Sequence, residues 1–203
     1  MATLRLCALV AVPDAAAVDL DVAAGATAAL VAAPPVVGTA VARVVSGLAA
    51  PVAGRVLVGD REVTALPPPQ RRIAYVPAGG ALLPHLTVRR NIAYGQRRRE
   101  RVREVADAWT ATVVDRLELA PTLGLRPHLL SEAQRFRVAL ARAVVCLPEA
   151  LVIDLPTGPT GGGRLTELLG RLTPPDTPGV AVLVCTAEPG ALPDVPVAAE
   201  VGG

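Results

Sequence analysis

Seven short apolar runs, separated by segments of helical character, constrain the fold of this 203-residue chain more than any other feature. The runs are mostly rich in valine and are bounded by Gly, Pro or Asp, which is typical of strands. They are Leu4 to Val12, Ala16 to Val22, Ala28 to Ala32, Arg55 to Val58, Ile73 to Val76, Leu151 to Asp154 and Val180 to Cys185. The helical candidates are Thr39 to Gly47, Val88 to Tyr94, Arg101 to Glu118, Glu132 to Val145 and Arg164 to Leu172. Alternation of strands and helices predicts an α/β fold with a mostly parallel sheet.

Three helical candidates follow one another between Val88 and Val145 without a strand between them. This purely helical patch, at 88–145, interrupts the alternation of strands and helices at 1–87 and 146–188. We interpret 1–203 as a single domain. Residues 189–203, rich in Pro and Gly, are predicted to be a poorly ordered tail.

The amino-acid composition argues against a nucleic-acid-binding protein. Aromatic residues make up only 2% of the chain and the formal net charge is +2, so base-stacking platforms are scarce and we predict no nucleic-acid binding. The three cysteines, Cys7, Cys146 and Cys185, are widely spaced and form no CxxC pair, which favours buried thiols in a reducing compartment.

An uncharged run, Val22 to Ala42, is long enough to span a bilayer. Pro34 and Pro35 lie in its middle, which favours a strand, a loop and a helix instead. The expected location is the cytoplasm, compatible with peripheral docking at the inner face of the cell membrane.

Two longer stretches carry recognisable motifs. The segment from Arg71 through Leu83-Pro84-His85-Leu86-Thr87-Val88 to Gly95 resembles the Q-loop region of ABC transporter ATPases. The segment Leu130 to Ala143, LSEAQRFRVALARA, is similar to the signature segment of the same family, LSGGQRQRVALARA. The apolar run Ala150 to Asp154 follows where that family has its Walker B strand.

The resemblance to an ABC transporter ATP-binding subunit, importer-like branch, covers roughly 16–187. It implies a P-loop NTPase-like core with an inserted helical subdomain, ATP and Mg²⁺ as cofactors, and two partners: a permease membrane subunit and a second ABC ATPase subunit, identical or different. The chain stops soon after Ala187, before the closing strands that family members usually carry, so a truncated C-terminal end is expected.

The phosphate-loop pattern GxxxxGK[ST] needs backbone N–H donors and a lysine ammonium. Gly25 before the strand and Gly47 after the helix fix the alignment of this segment with the pattern. Ala32 and Val37 then stand at the two pattern glycines, Gly38 at the lysine and Thr39 at the Ser/Thr. An alternative alignment makes Gly38 the pattern glycine and puts Thr39 at the lysine. Both alignments lack the cation, so the nucleotide-binding remnant Gly38 and Thr39 is predicted to be degenerate.

The resemblance also implies positions for the catalytic groups. Ala78 stands at the Q-loop glutamine, Leu155 at the catalytic glutamate and Ala187 at the switch histidine, so no catalytic residue is intact. Gly161 stands where the D-loop ends in Asp. Asp154 matches the Walker B aspartate.

Thr39 and Asp154 are the candidate remnant of a Mg²⁺ site. The plainer alternatives are that Thr39 is a helix N-cap and that Asp154 only terminates a strand.

In the signature-like segment Ser131 and Gln134 are retained, whereas Glu132 and Ala133 replace two glycines. The retained pair is the candidate nucleotide contact in trans. Glu132 would face a γ-phosphate, and like charges repel. The alternative for Ser131 is an N-cap of the following helix.

The sequence therefore predicts an ABC ATP-binding subunit-like protein, coupled to a permease for solute import, whose ATP binding and hydrolysis are weak or lost. Two alternatives remain open. One is a non-catalytic interaction or regulatory partner of an intact ABC ATPase. The other is a decayed paralogue without function.

Overall fold

The computed structural model describes residues 3–96, 103–156, 165–172, 179–188, 190 and 192–202. Its strands are β1 (Leu4–Val10), β2 (Val18–Val22), β3 (Thr27–Ala33), β4 (Ala53–Val58), β5 (Arg61–Glu62), β6 (Ile73–Val76), β7 (Ala150–Asp154), β8 (Ala181–Thr186) and β9 (Val197–Gly202). Its helices are α1 (Pro35–Val45), α2 (Pro68–Arg71), α3 (Val88–Gln96), α4 (Arg103–Arg116), α5 (Glu132–Val144) and α6 (Leu165–Gly170). Two 3₁₀ turns lie at Ala120–Thr122 and Pro127–Leu129.

The central sheet has five strands in the order β6-β7-β8-β3-β9, and every neighbouring pair is parallel. All residues of β7 and β8 are buried, as expected of parallel strands covered on both faces. The predicted α/β class is confirmed.

A second sheet is antiparallel and has the order β2-β1-β4-β5. The sequence pattern did not predict that these strands form a sheet of their own. The connection from Val10 to Val18 is too short for the crossover that a parallel pair needs, so β1 and β2 pair as antiparallel neighbours.

Helix α1 packs between the two sheets. Its apolar side chains, including Val41 and Val44, join Leu4 and Leu6 of β1 and Leu30 of β3 in one buried cluster. The other face of the parallel sheet is covered by α3, α4, α5 and α6, which form a second cluster.

Trp109 anchors the helical patch. The side chain is 6% exposed, and its indole N–H donates to the carbonyl of Val144 over 3.1 Å. This bond joins α4 to the last turn of α5.

The C-terminal end of α1 is held by a buried arginine. The Arg71 guanidinium donates to the carbonyls of Val44 and Val45 and to those of Thr64 and Leu66. Gly47 has a φ of +81°, and a Cβ there would lie 2.5 Å from Arg71 Nε, so this position requires glycine.

Two sequence predictions are corrected. Residues 197–202 form β9, parallel to β3, instead of belonging to a poorly ordered tail. Helix α1 begins at Pro35 rather than Thr39. Within the residues that the structure describes, none of the helices combines the length and apolarity required to cross a membrane.

Candidate functional site

The predicted site residues other than Ser131 and Gln134 lie where β3, β7 and β8 end at the same edge of the parallel sheet, which is where open α/β sheets usually bind ligands. Asp154 is the last residue of β7, and Cys185 lies opposite it in register on β8. Thr39 approaches from α1, which follows β3.

The segment aligned with the phosphate loop forms the first turns of α1. Pro34 is the N-cap and Pro35 the first helical residue, where the fixed φ of proline suits a helix start. Val37 already donates its backbone N–H to the carbonyl of Pro34 at 3.0 Å. Thr39 lies inside the helix, so its interpretation as an N-cap is wrong.

Gly38, which one alignment places at the lysine and the other at the pattern glycine, is buried between α1 and the sheet. A Cβ at this position would lie 3.2 Å from Ala32 Cβ and 3.6 Å from Cys185 Cβ. A side chain here would therefore point at β3 and β8 and would have to displace Ala32 by a few tenths of an ångström. Gly38 permits α1 to approach the sheet.

Asp154 is 2% exposed, and each of its carboxylate oxygens accepts a hydroxyl. Thr39 Oγ1 donates to Oδ1 over 3.2 Å, and the Tyr75 hydroxyl donates to Oδ2 over 3.2 Å. In the described part of the chain Asp154 forms no ion pair. The structure thus brings together both members of the predicted Mg²⁺ remnant and joins them directly.

Burial shifts the protonation of this cluster. Desolvation raises the pKa of Asp154 above its usual value, and hydrogen bonds from Thr39, Tyr75 and the Ala78 backbone oppose the shift only in part. Burial and the neighbouring Asp154 raise the pKa of Tyr75 as well. Burial, followed by Asp154, raises the pKa of the Cys185 thiol. Burial thus disfavours the charged form of Asp154, and the hydrogen bonds that it accepts offset this effect in part.

The positions aligned with catalytic groups carry no titratable side chain. Leu155 is 8% exposed and packs in the core, and its backbone N–H donates to the Cys185 carbonyl at 2.8 Å. Ala187 N–H donates to the Pro156 carbonyl at 3.4 Å, which brings it to the same edge. Ala78 is exposed in the loop after β6. Gly161 lies outside the described residues.

A cavity of about 150 Å³ opens beside these positions. It is lined by Pro77, Ala78, Gly79, Gly80, Glu132, Arg135, Phe136, Asp154, Leu155 and Pro156. The start of α5 and the loop after β6 therefore line one cleft together with Asp154.

Ser131 and Gln134 lie at the N-terminus of α5 and bind each other. Ser131 Oγ accepts the Gln134 backbone N–H at 3.2 Å, and Gln134 Oε1 accepts the Ser131 N–H at 2.9 Å. This capping box confirms the N-cap interpretation of Ser131. Glu132 occupies the first turn of the helix, where a carboxylate stabilises the helix dipole.

Sequence reasoning missed Tyr75 and Cys185 as neighbours of Asp154. The signal was present: both residues lie near the ends of strands that pair with β7. Adjacent parallel strands end at one edge, so a Tyr at the end of β6 was a candidate partner for an Asp at the end of β7.

A family model described as "ABC transporter" matches residues 15–158, more than half of the chain. The chain belongs to the ABC transporter family. Among its relatives, the molybdate/tungstate import ATP-binding protein WtpC of Archaeoglobus fulgidus is 43% identical over 112 residues, which are 55% of this chain and 46% of the relative. The spermidine/putrescine import ATP-binding protein PotA of Frankia alni is 39% identical over 149 residues, 73% of this chain and 32% of the relative.

Solved ABC structures share the fold. An ATP-binding subunit of an ABC transporter has a TM-score of 0.73 at 20% identity, with 90% of this chain and 78% of that chain covered. The ATP-binding cassette MJ0796 with ADP and Pi has a TM-score of 0.70 at 22% identity, covering 94% of this chain and 90% of that one. The chain spans about a third to a half of the length of the curated ABC relatives that it matches.

Proposed function

We propose that this chain is an ABC ATP-binding subunit of an import system that no longer binds or hydrolyses ATP, and that it docks on a membrane permease. The main support for the loss of ATP binding is that α1 begins at Pro35. The segment aligned with the phosphate loop is therefore helical, and it packs through Gly38 against β3 and β8.

The residues present do not fit a Mg·ATP bound in the family manner. Residues 32–39 contain no charged side chain, so a triphosphate would lose a charge-assisted contact worth about 1.5–3 kcal/mol. Pro34 and Pro35 have no N–H to donate. A magnesium ion at Asp154 would compete with the hydroxyls of Thr39 and Tyr75.

Hydrolysis lacks its general base for a separate reason. Leu155 follows Asp154 and packs into the core, so no side chain at this position can orient or deprotonate an attacking water. Ala78 and Ala187 supply no polar side chain at the two other aligned positions.

The signature-like segment supports the same proposal for a site shared with a partner subunit. Ser131 and Gln134 bind each other, and Glu132 places a carboxylate at the start of α5. A γ-phosphate presented by a partner would meet this negative charge.

The role in import is supported by the named activities of relatives such as WtpC and PotA, which are import ATP-binding proteins. Docking beneath a permease would hold the chain at the inner face of the cell membrane. Two continuous buried clusters support a folded product.

Isothermal titration calorimetry with ATP, with and without Mg²⁺, tests the loss of nucleotide binding. We expect no saturable binding below about 1 mM, which corresponds to about −4 kcal/mol. An intact ABC ATPase titrated under the same conditions is the positive control. Saturable Mg²⁺-dependent binding that Asp154→Ala abolishes would overturn the proposal.

Docking needs its own experiment. Co-expression with a tagged importer permease from the same organism should recover the chain in the detergent-solubilised complex. Recovery of an intact ABC ATPase with this chain in the absence of the permease would instead favour the role of a non-catalytic partner.

A further inference from the structure

The cleft beside Asp154 carries charges of both signs on its wall. Among the residues that line it, Asp154 and Glu132 bear carboxylates and Arg135 bears a guanidinium, whereas the others are uncharged. The volume of the cleft, about 150 Å³, is that of a cavity that holds one benzene molecule. The cleft is therefore large enough for a small organic ligand with more than one charged group.

Glu132 and Arg135 lie about one turn apart on α5, yet they do not pair with each other. Side chains at this spacing on a helix are neighbours and commonly form an ion pair. Within the residues that the structure describes, neither of the two forms an ion pair. Arg135 donates through Nη1 to the carbonyl of Leu130 over 2.8 Å, which uses one of its several N–H donors. Both charges thus remain open to a molecule in the cleft.

Asp154 is a buried carboxylate without a cation. It is 2% exposed and accepts the hydroxyls of Thr39 and Tyr75 and the backbone N–H of Ala78. In the described part of the chain no basic side chain pairs with it. Because water is excluded around such a group, it attracts a cation more strongly than an exposed carboxylate does. The cleft therefore favours a ligand that brings a positive charge to Asp154.

Simpler ligand classes match this wall poorly. An anion would meet two carboxylates, and a ligand with only a positive charge would leave Arg135 without a counter-charge. An uncharged ligand would leave all of these charges unmatched. Phe136 and Leu155 add apolar area to the wall. A ligand with one positive group, one negative group and a small apolar group would match every part of it.

We propose that the cleft binds a small zwitterionic α-amino acid, whose ammonium faces Asp154 and Glu132 and whose carboxylate faces Arg135. Guanidinium groups bind carboxylates through charge-assisted hydrogen bonds, which suits Arg135 to this role. L-Alanine has about as many non-hydrogen atoms as benzene, so it matches the volume of the cleft. The inference rests on the proposed loss of ATP binding, because a nucleotide bound at Asp154 would compete for the same cleft.

An NMR titration of the ¹⁵N-labelled, nucleotide-free chain tests the proposal with L-alanine, propionate and ethylamine. Propionate is L-alanine without the ammonium, and ethylamine is L-alanine without the carboxylate. We expect saturable shifts with L-alanine, including those of the Gly79 and Gly80 amides that line the cleft. Each of the other two compounds should bind at least about tenfold more weakly, because it loses one contact between charged groups.

Variants assign each charge of the ligand to its partner. Arg135→Gln should weaken the binding of L-alanine at least about tenfold, whereas Arg135→Lys, which keeps the charge, should retain most of it. Glu132→Gln should weaken the binding of L-alanine and ethylamine but not that of propionate. Arg137→Gln and Glu118→Gln, which alter an ion pair outside the cleft, are the matched controls and should leave binding unchanged. Thermal melts of each variant verify that it is folded.

The inference is overturned if L-alanine gives no saturable shifts, or if propionate or ethylamine binds as tightly as L-alanine does. It is also overturned if the Arg137 and Glu118 controls lose as much binding as the Arg135 and Glu132 variants, since the ligand would then lie outside the cleft. None of these results bears on the loss of ATP binding, which the calorimetric titration with ATP tests separately.

Discussion

Replacement of Asp154 separates a structural role from a metal-binding one. Asp154→Ala leaves the hydroxyls of Thr39 and Tyr75 without their acceptor at half-buried positions. At about 1 kcal/mol for each donor, the loss of unfolding free energy is about 2 kcal/mol. For a chain of this size that lowers the Tm by about 4–8 °C.

Asp154→Asn should behave differently. The amide oxygen keeps an acceptor for one hydroxyl, the amide nitrogen can donate to the other, and no buried charge remains. We expect the stability at pH 7 to equal or exceed that of the wild type. If Asp154 instead holds a functional magnesium ion, Asp154→Asn should weaken Mg²⁺ binding, because an amide is a poor ligand for Mg²⁺.

The contribution of Asp154 to the unfolding free energy should depend on pH. Burial raises the folded-state pKa of Asp154, so the folded chain binds this proton more tightly than the unfolded chain does. The contribution of Asp154 to stability is therefore greatest below the usual aspartate pKa and falls as pH rises through the folded-state value. The stability advantage of Asp154→Asn over the wild type should grow with pH across that interval.

Urea unfolding followed by circular dichroism measures these differences, with Asp115→Asn as an exposed control and MgCl₂ added in a parallel series. If Asp154→Asn is as destabilised as Asp154→Ala, the carboxylate charge is needed and the reasoning fails. It also fails if Mg²⁺ raises the Tm of the wild type but not that of Asp154→Asn.

Three further changes address the packing of the same region. Gly38→Lys should lower the unfolding free energy by about 1–3 kcal/mol in urea melts without creating ATP binding by calorimetry, because its Cβ meets Ala32; a gain of nucleotide affinity would contradict this. Arg71→Met should lower the unfolding free energy by about 3 kcal/mol or more in the same melts, because four carbonyls lose their buried donor. A loss below about 1 kcal/mol, roughly the contribution of one such hydrogen bond, would mean that water replaces the guanidinium. Ser131→Ala should cost about 1 kcal/mol through the lost cap, with Ser131→Asp close to the wild type; equal losses in both variants would exclude capping.

Much of the fold could be predicted from the sequence because burial on both faces leaves a continuous apolar pattern. The runs at 151–154 and 180–185 match β7 and β8 within one residue at each end. The strand β9 was missed because 197–202 carries a weak apolar pattern after a Pro-rich segment. Its pairing with β3, a partner more than 160 positions away, decides its conformation.

The candidate site could be predicted as a set of aligned positions but not as a geometry. The alignment located Gly38, Thr39 and Asp154, and it interpreted Pro34 and Pro35 as a damaged loop. In the structure the same prolines begin a helix, because the apolar face of α1 gains more from packing on the sheet than an unliganded loop would. Sequence alone does not weigh that tertiary gain against loop geometry.

The altered positions at this edge of the sheet depend on one another. A small residue at 38 lets α1 lie close to β3 and β8, and that approach brings Thr39 Oγ1 to 3.2 Å from Asp154. The accepted hydroxyls then stabilise Asp154 in a site where burial disfavours its charge, and Leu155 extends the core beside it. A lysine introduced at 38 would push α1 outward and weaken the contact with Asp154, while a glutamate introduced at 155 would bury a second carboxylate next to the first. We therefore expect each of these two substitutions alone to lower stability. If the proposed loss of ATP binding is correct, a gain of nucleotide binding would require the loop from 32 to 39 to change together with the edge formed by Asp154 and Leu155.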